Sequence, residues 1–294
     1  MSHKHIKPPL KWAGGKSQIK SIILEEIKKY YYEEQTYYEP FLGGGAILFS
    51  LQPKKAVVND INKELINVYR IIKSNPDELI EELKQFKSND SNEFYYQVRS
   101  WDRKEDFNSI DKIKLAGRTI YLNKTCYNGL FRVNQSGYFN TPRGKYIKPQ
   151  IYDENNIKEV SKYFMDNEIK IISRNYSKSV AGAKKNDIIY FDPPYDYEES
   201  GFTQYSKNGF SRRRLNNLKK LCDRLIDKGC IVFISNNNTE YVRSLFSEDG
   251  YEIIYVQKVI KANRVINSNG AGRAKVEEVL IRGLKKEKNL SSSE

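Results

Sequence analysis

The feature that most constrains the fold is a series of short apolar runs separated by helical patterns. The first five runs each end close to a polar or Gly-rich turn, which is typical of buried strands. Because strands that alternate with helices favour a parallel, doubly wound sheet, we predict an α/β fold. The predicted strands are 37–39, 56–58, 169–172, 188–191, 231–234, 251–258 and 276–282.

The last two predicted strands, 251–258 and 276–282, have no helical pattern between them. Strands joined without a crossover helix pair in antiparallel orientation, so we expect a hairpin at one edge. Helical patterns at 17–30 and 212–228 belong to the alternating series. The sequence therefore predicts a mostly parallel, seven-stranded sheet with one antiparallel edge.

The strand series is interrupted between residues 62 and 163. Helical patterns there cover 62–73, 76–86, 91–102 and 109–124. The segment 127–146 is rich in Asn, Gly and Tyr, which predicts a loop or hairpin. We predict that 62–163 is an inserted, mostly helical domain between 1–61 and 164–284, and that 285–294 is a polar tail.

The charge of the chain indicates a polyanionic partner. Lys and Arg number 50 against 37 Asp and Glu, which gives a formal net charge of +13. Such an excess provides non-specific affinity for phosphates, and the 22 tyrosines are compatible with base stacking. A generally Lys-rich proteome explains the charge equally well, so charge alone leaves two interpretations open.

Cysteine and histidine usage argues against a metal site. The three cysteines, Cys126, Cys222 and Cys230, form no Cys-x-x-Cys pair, and the two histidines are His3 and His5. We therefore expect no disulfide framework, no bound metal and no His-based mechanism. Because the sequence has neither a run of ~20 apolar residues nor an apolar signal stretch, we expect a cytoplasmic protein.

A Gly-rich turn and an acidic residue follow the first two predicted strands. Gly43, Gly44 and Gly45 let the backbone approach a ligand closely, and a helix N-terminus would come next. Asp60 follows the second strand, where acidic residues in parallel sheets hold ribose hydroxyls. This combination indicates a nucleoside cofactor, although a plain tight turn and a helix-capping Asp60 would account for the same residues.

The tetrad Asp192-Pro193-Pro194-Tyr195 follows the predicted strand 188–191. Two prolines end the strand and stiffen the turn, so an aspartate and a tyrosine are held at its carboxyl end. A purely structural explanation is that Asp192 is a capping residue and that the two prolines simply end the strand. This explanation accounts for neither Tyr195 nor the upstream Gly-rich turn. We therefore interpret the tetrad as catalytic.

The tetrad suits methylation of an amine that is conjugated to a ring. The lone pair of the adenine N6 amine is delocalised into the base, so this amine is a weak nucleophile. Ionised Asp192 and the carbonyl of Pro193 can accept hydrogen bonds from the N6 hydrogens and favour a tetrahedral nitrogen. Tyr195 can stack on a flipped base, and displacement at a sulfonium methyl then needs mainly positioning.

Further motifs lie at 9–16, 38–45, 128–134, 139–142, 144–146, 267–270 and 275–276. Together with the tetrad they resemble the Dam-like family of S-adenosylmethionine-dependent DNA adenine methyltransferases, including its restriction-associated members. The resemblance covers nearly the whole chain. It implies a Rossmann-like methyltransferase fold, with 1–61 and 164–284 as the catalytic domain and 62–163 as the DNA-recognition domain.

The resemblance also implies which residues bind S-adenosylmethionine. Trp12 and Lys16 would line its methionine end, and Asp60 would hold its ribose. Asn175-Tyr176 stand where the family often carries Asp-Phe for the adenine ring, and this departure bears on cofactor affinity. The other residues assigned to the cofactor are Glu39, Pro40, Phe41, Gly43, Gly44, Gly45 and Asp192.

The same resemblance implies that the inserted domain binds double-stranded DNA. Arg132 matches the family arginine that contacts the first guanine of the site, and arginine suits bidentate contact with guanine O6 and N7. This predicts methylation in 5'-GATC-3', while a longer site that begins with GAT shares part of the pattern. The remaining residues assigned to DNA are Tyr127, Asn128, Leu130, Asn134, Pro142, Lys145 and Tyr146.

Other functions account for part of the pattern. Cytosine-N4 methylation follows the same amine chemistry but more often has Ser at the position of Asp192, and RNA methylation would suit the charge. A DNA-binding module without catalysis would not need an intact tetrad. The loops 196–210 and 261–274 are expected either to close on DNA or to be solvated. We expect a monomer associated with the nucleoid, and a restriction endonuclease as its functional partner if it is restriction-associated.

Overall fold

The computed structural model of the chain describes residues 6–12, 19–195, 211–248, 250–256 and 277–285. Its strands are β1 (Tyr37–Glu39), β2 (Lys55–Asn59), β3 (Glu168–Ile172), β4 (Ile188–Phe191), β5 (Ile231–Asn237), β6 (Tyr251–Val256) and β7 (Glu278–Gly283). They form one seven-stranded sheet in the order β3-β2-β1-β4-β5-β7-β6.

Helices account for most of the remaining described residues. The α-helices are α1 (Lys20–Lys28), α2 (Leu48–Leu51), α3 (Lys63–Ser74), α4 (Pro76–Ser88), α5 (Asn92–Arg99), α6 (Lys112–Thr125), α7 (Glu154–Asp166), α8 (Tyr176–Ser179), α9 (Arg212–Asp227) and α10 (Glu240–Leu245). Short 3₁₀ helices lie at Ser100–Arg103, Glu105–Ser109 and Tyr127–Gly129. None of the helices in the described ranges has the length and apolar character needed to cross a lipid bilayer.

The strand directions confirm the predicted mostly parallel α/β sheet. β1 pairs with β4, β4 with β5, and β2 with β3, all in parallel. β7 pairs antiparallel with both β5 and β6, which is the predicted hairpin at one edge. All four side chains of β4 are buried, as expected for a strand that is covered on both faces.

The chain divides into two compact units, 1–20 with 42–179 and 21–41 with 180–294, called unit 1 and unit 2 below. In unit 1, α3 packs against α4, α6 and α7. The sequence patterns did not predict α7, and the predicted helix 109–124 begins later, at Lys112. The reason is that the Asp111 carboxylate accepts hydrogen bonds from the main-chain N–H groups of Ile113 and Lys114, which fixes the helix start.

In unit 2, side-chain contacts set the register of β1 against β4. The Asp187 carboxylate accepts a hydrogen bond from the main-chain N–H of Thr36 at 3.0 Å. The Gln35 side chain donates to the carbonyl of Asn186 at 2.6 Å. Tyr37 therefore lies beside Ile188, and the carboxyl ends of β1 and β4 lie at the same edge. The segment after β1 contains residues assigned to the cofactor, and the segment after β4 contains those assigned to catalysis.

Candidate active site

The residues assigned to the cofactor and to catalysis fall in both units, so each group is described within its own unit. Unit 1 contains the glycine turn, Asp60 and the segment assigned to DNA, and unit 2 contains the segment 39–41 and the tetrad. Lys16 and the loops 196–210 and 261–274 lie outside the described residues.

In unit 1 the glycine turn packs against Trp12. A Cβ atom added to Gly43 would lie 2.8 Å from Cδ1 of Trp12, and one added to Gly44 would lie 3.1 Å from its Cβ. Gly43 and Gly45 have φ angles of 50° and 71°, which glycine adopts without steric cost. Within the chain the close neighbours of these glycines are Trp12 and, at Gly45, the ring of Phe49; their assignment to the cofactor stays a prediction.

Asp60 braces the glycine turn from the end of β2. Its Oδ2 accepts a hydrogen bond from the N–H of Gly43 at 3.0 Å, and its Oδ1 accepts one from the N–H of Asn62 at 2.9 Å. Burial raises the pKa of Asp60, and hydrogen bonds from the main chain oppose that rise. Because a carboxylate has roughly four acceptor positions, Asp60 retains capacity for a ligand hydroxyl.

Asn59 is a structural residue of this region that the sequence did not single out. Its buried side chain accepts a hydrogen bond from the N–H of Arg174 at 2.8 Å and donates to the carbonyl of Arg174 at 3.1 Å. These bonds hold the turn after β3 against the end of β2. In that turn Asn175 accepts from the N–H and hydroxyl of Ser177, at 3.0 and 2.9 Å, and so starts α8 at Tyr176.

Ile61 was also missed by sequence reasoning. It follows Asp60 directly, and 73% of its surface is exposed. The signal in the sequence was an apolar residue between Asp60 and Asn62 at the end of a strand. An exposed apolar side chain beside an acidic one can cover the flat face of a nucleoside base.

The segment assigned to DNA confirms the predicted loop or hairpin. A 3₁₀ turn at Tyr127–Gly129 is followed by a hairpin in which Val133 bridges to Phe139. Asn128 has a φ angle of 54°, a left-handed conformation that asparagine tolerates better than most residues. Of the assigned residues, Leu130 and Tyr146 are half-buried; the exposed ones are Tyr127, Asn128, Arg132, Asn134, Pro142 and Lys145.

Two of these side chains make contacts within the hairpin. Nε of Arg132 donates to Oδ1 of Asn140 at 2.8 Å, which orients the exposed guanidinium. The side-chain oxygen of Asn134 accepts hydrogen bonds from the N–H groups of Ser136 and Tyr138 at 3.0 and 2.9 Å. Asn134 therefore shapes the turn of the hairpin in addition to any contact that it makes with DNA.

In unit 2 the tetrad follows β4 directly. Pro193 is buried, Pro194 is exposed, and Asp192 and Tyr195 are half-buried. The Tyr195 hydroxyl donates to Oε2 of Glu278 at 3.4 Å. Burial, followed by the charge of Asp192, raises the pKa of Tyr195 well above its ordinary value, so this hydroxyl stays protonated at neutral pH.

Further buried polar groups of unit 2 lie on β1, β4 and β5. The buried Glu39 carboxylate accepts a hydrogen bond from the Tyr37 hydroxyl at 2.9 Å. The hydroxyls of Tyr190 and Ser235 are 2.8 Å apart. Burial, followed by the charge of Asp192, raises the pKa of Tyr190. The carboxylate of Asp192 is therefore close enough to influence both tyrosines electrostatically.

Comparison with known proteins identifies the family. The family model of the D12 class N6 adenine-specific DNA methyltransferases matches residues 12–262. The chain belongs to this family. The Dam-like resemblance of the sequence is thereby confirmed, and this adenine methyltransferase acts on DNA.

The methyltransferase is similar to several curated proteins along nearly its whole length. It is 38% identical to the type II methyltransferase M1.LlaDCHI of Lactococcus lactis subsp. cremoris over 279 residues, which cover 94% of this chain and 95% of that protein. It is 40% identical to the type II methyltransferase M.MjaIII of Methanocaldococcus jannaschii over 284 residues, covering 91% and 95%. It is 32% identical to the DNA adenine methylase of Escherichia coli strain K12 over 279 residues, covering 92% and 93%.

Proposed function

We propose that the chain transfers a methyl group from S-adenosylmethionine to N6 of an adenine that is flipped out of duplex DNA, within the sequence 5'-GATC-3'. The observation that carries this proposal is the tetrad at the carboxyl end of β4 in a chain of the N6 adenine-specific family. Asp192, Pro193, Pro194 and Tyr195 would form the catalytic group.

The tetrad would activate the amine by accepting its hydrogens. Ionised Asp192 and the carbonyl of Pro193 accept one N6 hydrogen each, which draws the nitrogen towards tetrahedral geometry and frees its lone pair. The negative charge of Asp192 also stabilises the positive charge that develops on the nitrogen as the new bond forms. Pro193 is buried, which supports a well-defined position for this part of the turn.

Tyr195 would hold the flipped base by stacking. Its hydroxyl donates to Glu278, and this contact restricts rotation of the side chain. A ring that is already held in place loses little conformational entropy when a base stacks on it. Flipping is required because the N6 amine takes part in base pairing within the duplex.

Residues of unit 1 fit the nucleoside part of the cofactor. Asp60 has acceptor capacity for ribose hydroxyls, and Ile61 offers an exposed apolar face. The glycine turn carries Trp12 beside it, and we assign Trp12 to the methionine end of the cofactor. S-adenosylmethionine, when bound, supplies a methyl group on a positively charged sulfur. The other residues that we assign to it are Lys16, Glu39, Pro40, Phe41, Asn175, Tyr176 and Asp192.

The exposed residues of the segment 127–146 fit a DNA-binding role. We propose that the helical block 62–163 is the recognition domain and that Arg132 contacts the first guanine of the site. Two relatives are named type II methyltransferases, which supports a restriction endonuclease as a functional partner. We also infer a monomer that methylates the two strands one after the other.

Mapping of methylated bases after expression in a host without adenine methylation tests the proposal. We expect N6-methyladenine at nearly every 5'-GATC-3' site of the host genome. Methylation only within longer sites that begin with GAT would contradict the proposed recognition sequence. Modified cytosine or modified RNA in place of modified adenine would contradict the proposed reaction.

A further inference from the structure

A buried network of charged residues lies in unit 1 next to the hairpin 132–140. Arg118, on α6, is 1% exposed, although a guanidinium is rarely buried without partners. Its Nη1 donates to Oε2 of Glu64 at 3.0 Å, and its Nη2 lies 3.0 Å from Oδ2 of Asp102. Nε and Nη2 also donate to the carbonyls of Val98 and Arg99, both at 3.1 Å.

This network holds both main-chain polar groups of Phe139. Oδ2 of Asp102 accepts a hydrogen bond from the N–H of Phe139 at 2.7 Å. Nη2 of Arg103 donates to the carbonyl of Phe139 at 2.9 Å, while its Nη1 donates to Oδ1 of Asp102 at 2.6 Å. The Phe139 side chain is itself 2% exposed. Two charged side chains of the 3₁₀ helix Ser100–Arg103 therefore fix the backbone of the hairpin at one residue.

Phe139, whose backbone is fixed, directly precedes Asn140, the residue that orients Arg132. Asn140 follows Phe139, and its N–H donates to the carbonyl of Arg132 at 2.9 Å. Its side-chain oxygen accepts the hydrogen bond from Nε of Arg132 at 2.8 Å. A continuous series of contacts thus runs from buried Arg118 through Asp102, Phe139 and Asn140 to exposed Arg132.

The hairpin has little apolar burial of its own. Val133 and Tyr138 are 43% and 36% exposed, and Phe139 is its one buried side chain. The position of the hairpin therefore depends strongly on what holds Phe139. Hydrogen bonds that involve an ionised group are about twice as strong as neutral ones, so the contacts of Phe139 with Asp102 and with Arg103 are the strongest holds on its main chain.

We propose that Asp102 is a specificity-determining positioning residue: by fixing Phe139 it sets the place of Arg132, and so the discrimination of the first base pair of the site. This inference rests on the proposed contact of Arg132 with DNA. A bidentate contact with guanine needs two hydrogen bonds at correct length and angle, so it tolerates little displacement of the arginine.

Asp102→Asn is the decisive variant because it changes charge and acceptor number but not shape. The carboxylate accepts from Arg103 at one oxygen and from Arg118 and Phe139 at the other. An amide has one acceptor oxygen, so its NH₂ group must face one of these donor sets. The matched control is Asp106→Asn, the same change at an exposed aspartate of the next 3₁₀ helix.

The measured quantity is the ratio of kcat/KM for the cognate duplex to kcat/KM for a duplex with the first base pair replaced. Both values come from one enzyme preparation, so the ratio is independent of the fraction that is folded. A bidentate arginine–guanine pair discriminates by roughly 5- to 150-fold. We expect Asp102→Asn to lower the ratio at least about fivefold and Asp106→Asn to leave it unchanged.

Two further variants distinguish a wrong assignment of Arg132 from a wrong assignment of Asp102. Arg132→Ala should lower the ratio, and Asp102→Asn with Arg132→Ala should lower it no further than Arg132→Ala alone. If Arg132→Ala discriminates like the wild type, the proposed function of Arg132 is wrong. If Arg132→Ala loses discrimination while Asp102→Asn keeps it, or if the two losses multiply, the role of Asp102 alone is wrong.

Hydrogen exchange and a milder variant provide independent measurements. In Asp102→Asn the amide of Phe139 should exchange at least about tenfold faster, while amides in the middle of α6 keep their wild-type rates. If the variant does not fold, Asp102→Glu replaces it: the negative charge that pairs with Arg118 and Arg103 is kept, but the longer side chain displaces the carboxylate from the N–H of Phe139. Unchanged exchange at Phe139 together with unchanged discrimination, in whichever of the two variants folds, would overturn the inference.

Discussion

Replacement of Gly43 by alanine should disrupt the packing of Trp12 on the glycine turn. At its φ angle of 50° an L-residue costs roughly 1–2 kcal/mol more than glycine. The added methyl group would lie 2.8 Å from Cδ1 of Trp12, well inside van der Waals contact, and overpacking of this kind costs about 1–3 kcal/mol. We therefore expect Gly43→Ala to lower the free energy of unfolding by roughly 2–5 kcal/mol.

Gly137→Ala is the matched control for this prediction. Gly137 has a φ angle of 82°, but an added Cβ meets no atom within 4 Å, so only the backbone cost of roughly 1–2 kcal/mol remains. Urea unfolding of both variants, followed by circular dichroism, measures the difference that belongs to the Trp12 contact. Calorimetric titration with S-adenosylmethionine should show weaker binding for Gly43→Ala only. Equal losses of stability in the two variants would refute this account of the turn.

Three further changes test other parts of the structure. Asn59→Ala leaves both main-chain groups of Arg174 without their partner, so we expect the free energy of unfolding, measured in urea, to fall by about 1–3 kcal/mol. A decrease below the measurement error would contradict the stabilising role of Asn59. Burial, followed by the charge of Lys11, lowers the pKa of Lys124 to about 8 from its ordinary value of 10.5. The unfolded chain therefore binds more protons between these values, and stability should rise with pH across this window in the wild type relative to Lys124→Met. If the pH profiles of the unfolding free energy of the wild type and of Lys124→Met, measured in urea, are parallel, the lowered pKa of Lys124 is contradicted. Tyr195→Phe keeps the ring and should retain most methyl transfer. Tyr195→Ala should lose roughly 5- to 150-fold in kcat/KM, since stacking contributes ~1–3 kcal/mol per base; equal losses in the two variants would argue against stacking.

The sheet could be predicted because its signals are local. β4 is a short run of buried apolar residues that ends at Asp192, and the ends of such a run can be identified from the sequence alone. The edge hairpin followed from the lack of a helix between β6 and β7. The start of α6 was placed too early because a cap at Asp111 outweighed the helical pattern before it. The helix α7 carries the same kind of apolar pattern but stands beside a loop-rich segment, and it was not predicted.

Residues whose role depends on distant partners could not be predicted. Asn59 acts through Arg174, which lies 115 positions further along the chain. Trp12 explains Gly43 and Gly44 only once the turn is folded against it. Asp102 looks like an ordinary polar residue in the sequence, and its contact with Phe139 follows from tertiary packing alone. Motif residues can be found by type and order, whereas the residues that position them require the structure.

Methyl transfer from labelled S-adenosylmethionine to duplex DNA tests the central claim most directly. The wild-type enzyme should label the duplex at N6 of adenine. Asp192→Ala removes an acceptor and a charge from the reacting amine, so transfer should fall by roughly 10²- to 10³-fold while cofactor binding persists. No transfer to DNA by wild-type enzyme that binds the cofactor, or near-normal turnover by Asp192→Ala, would contradict the account.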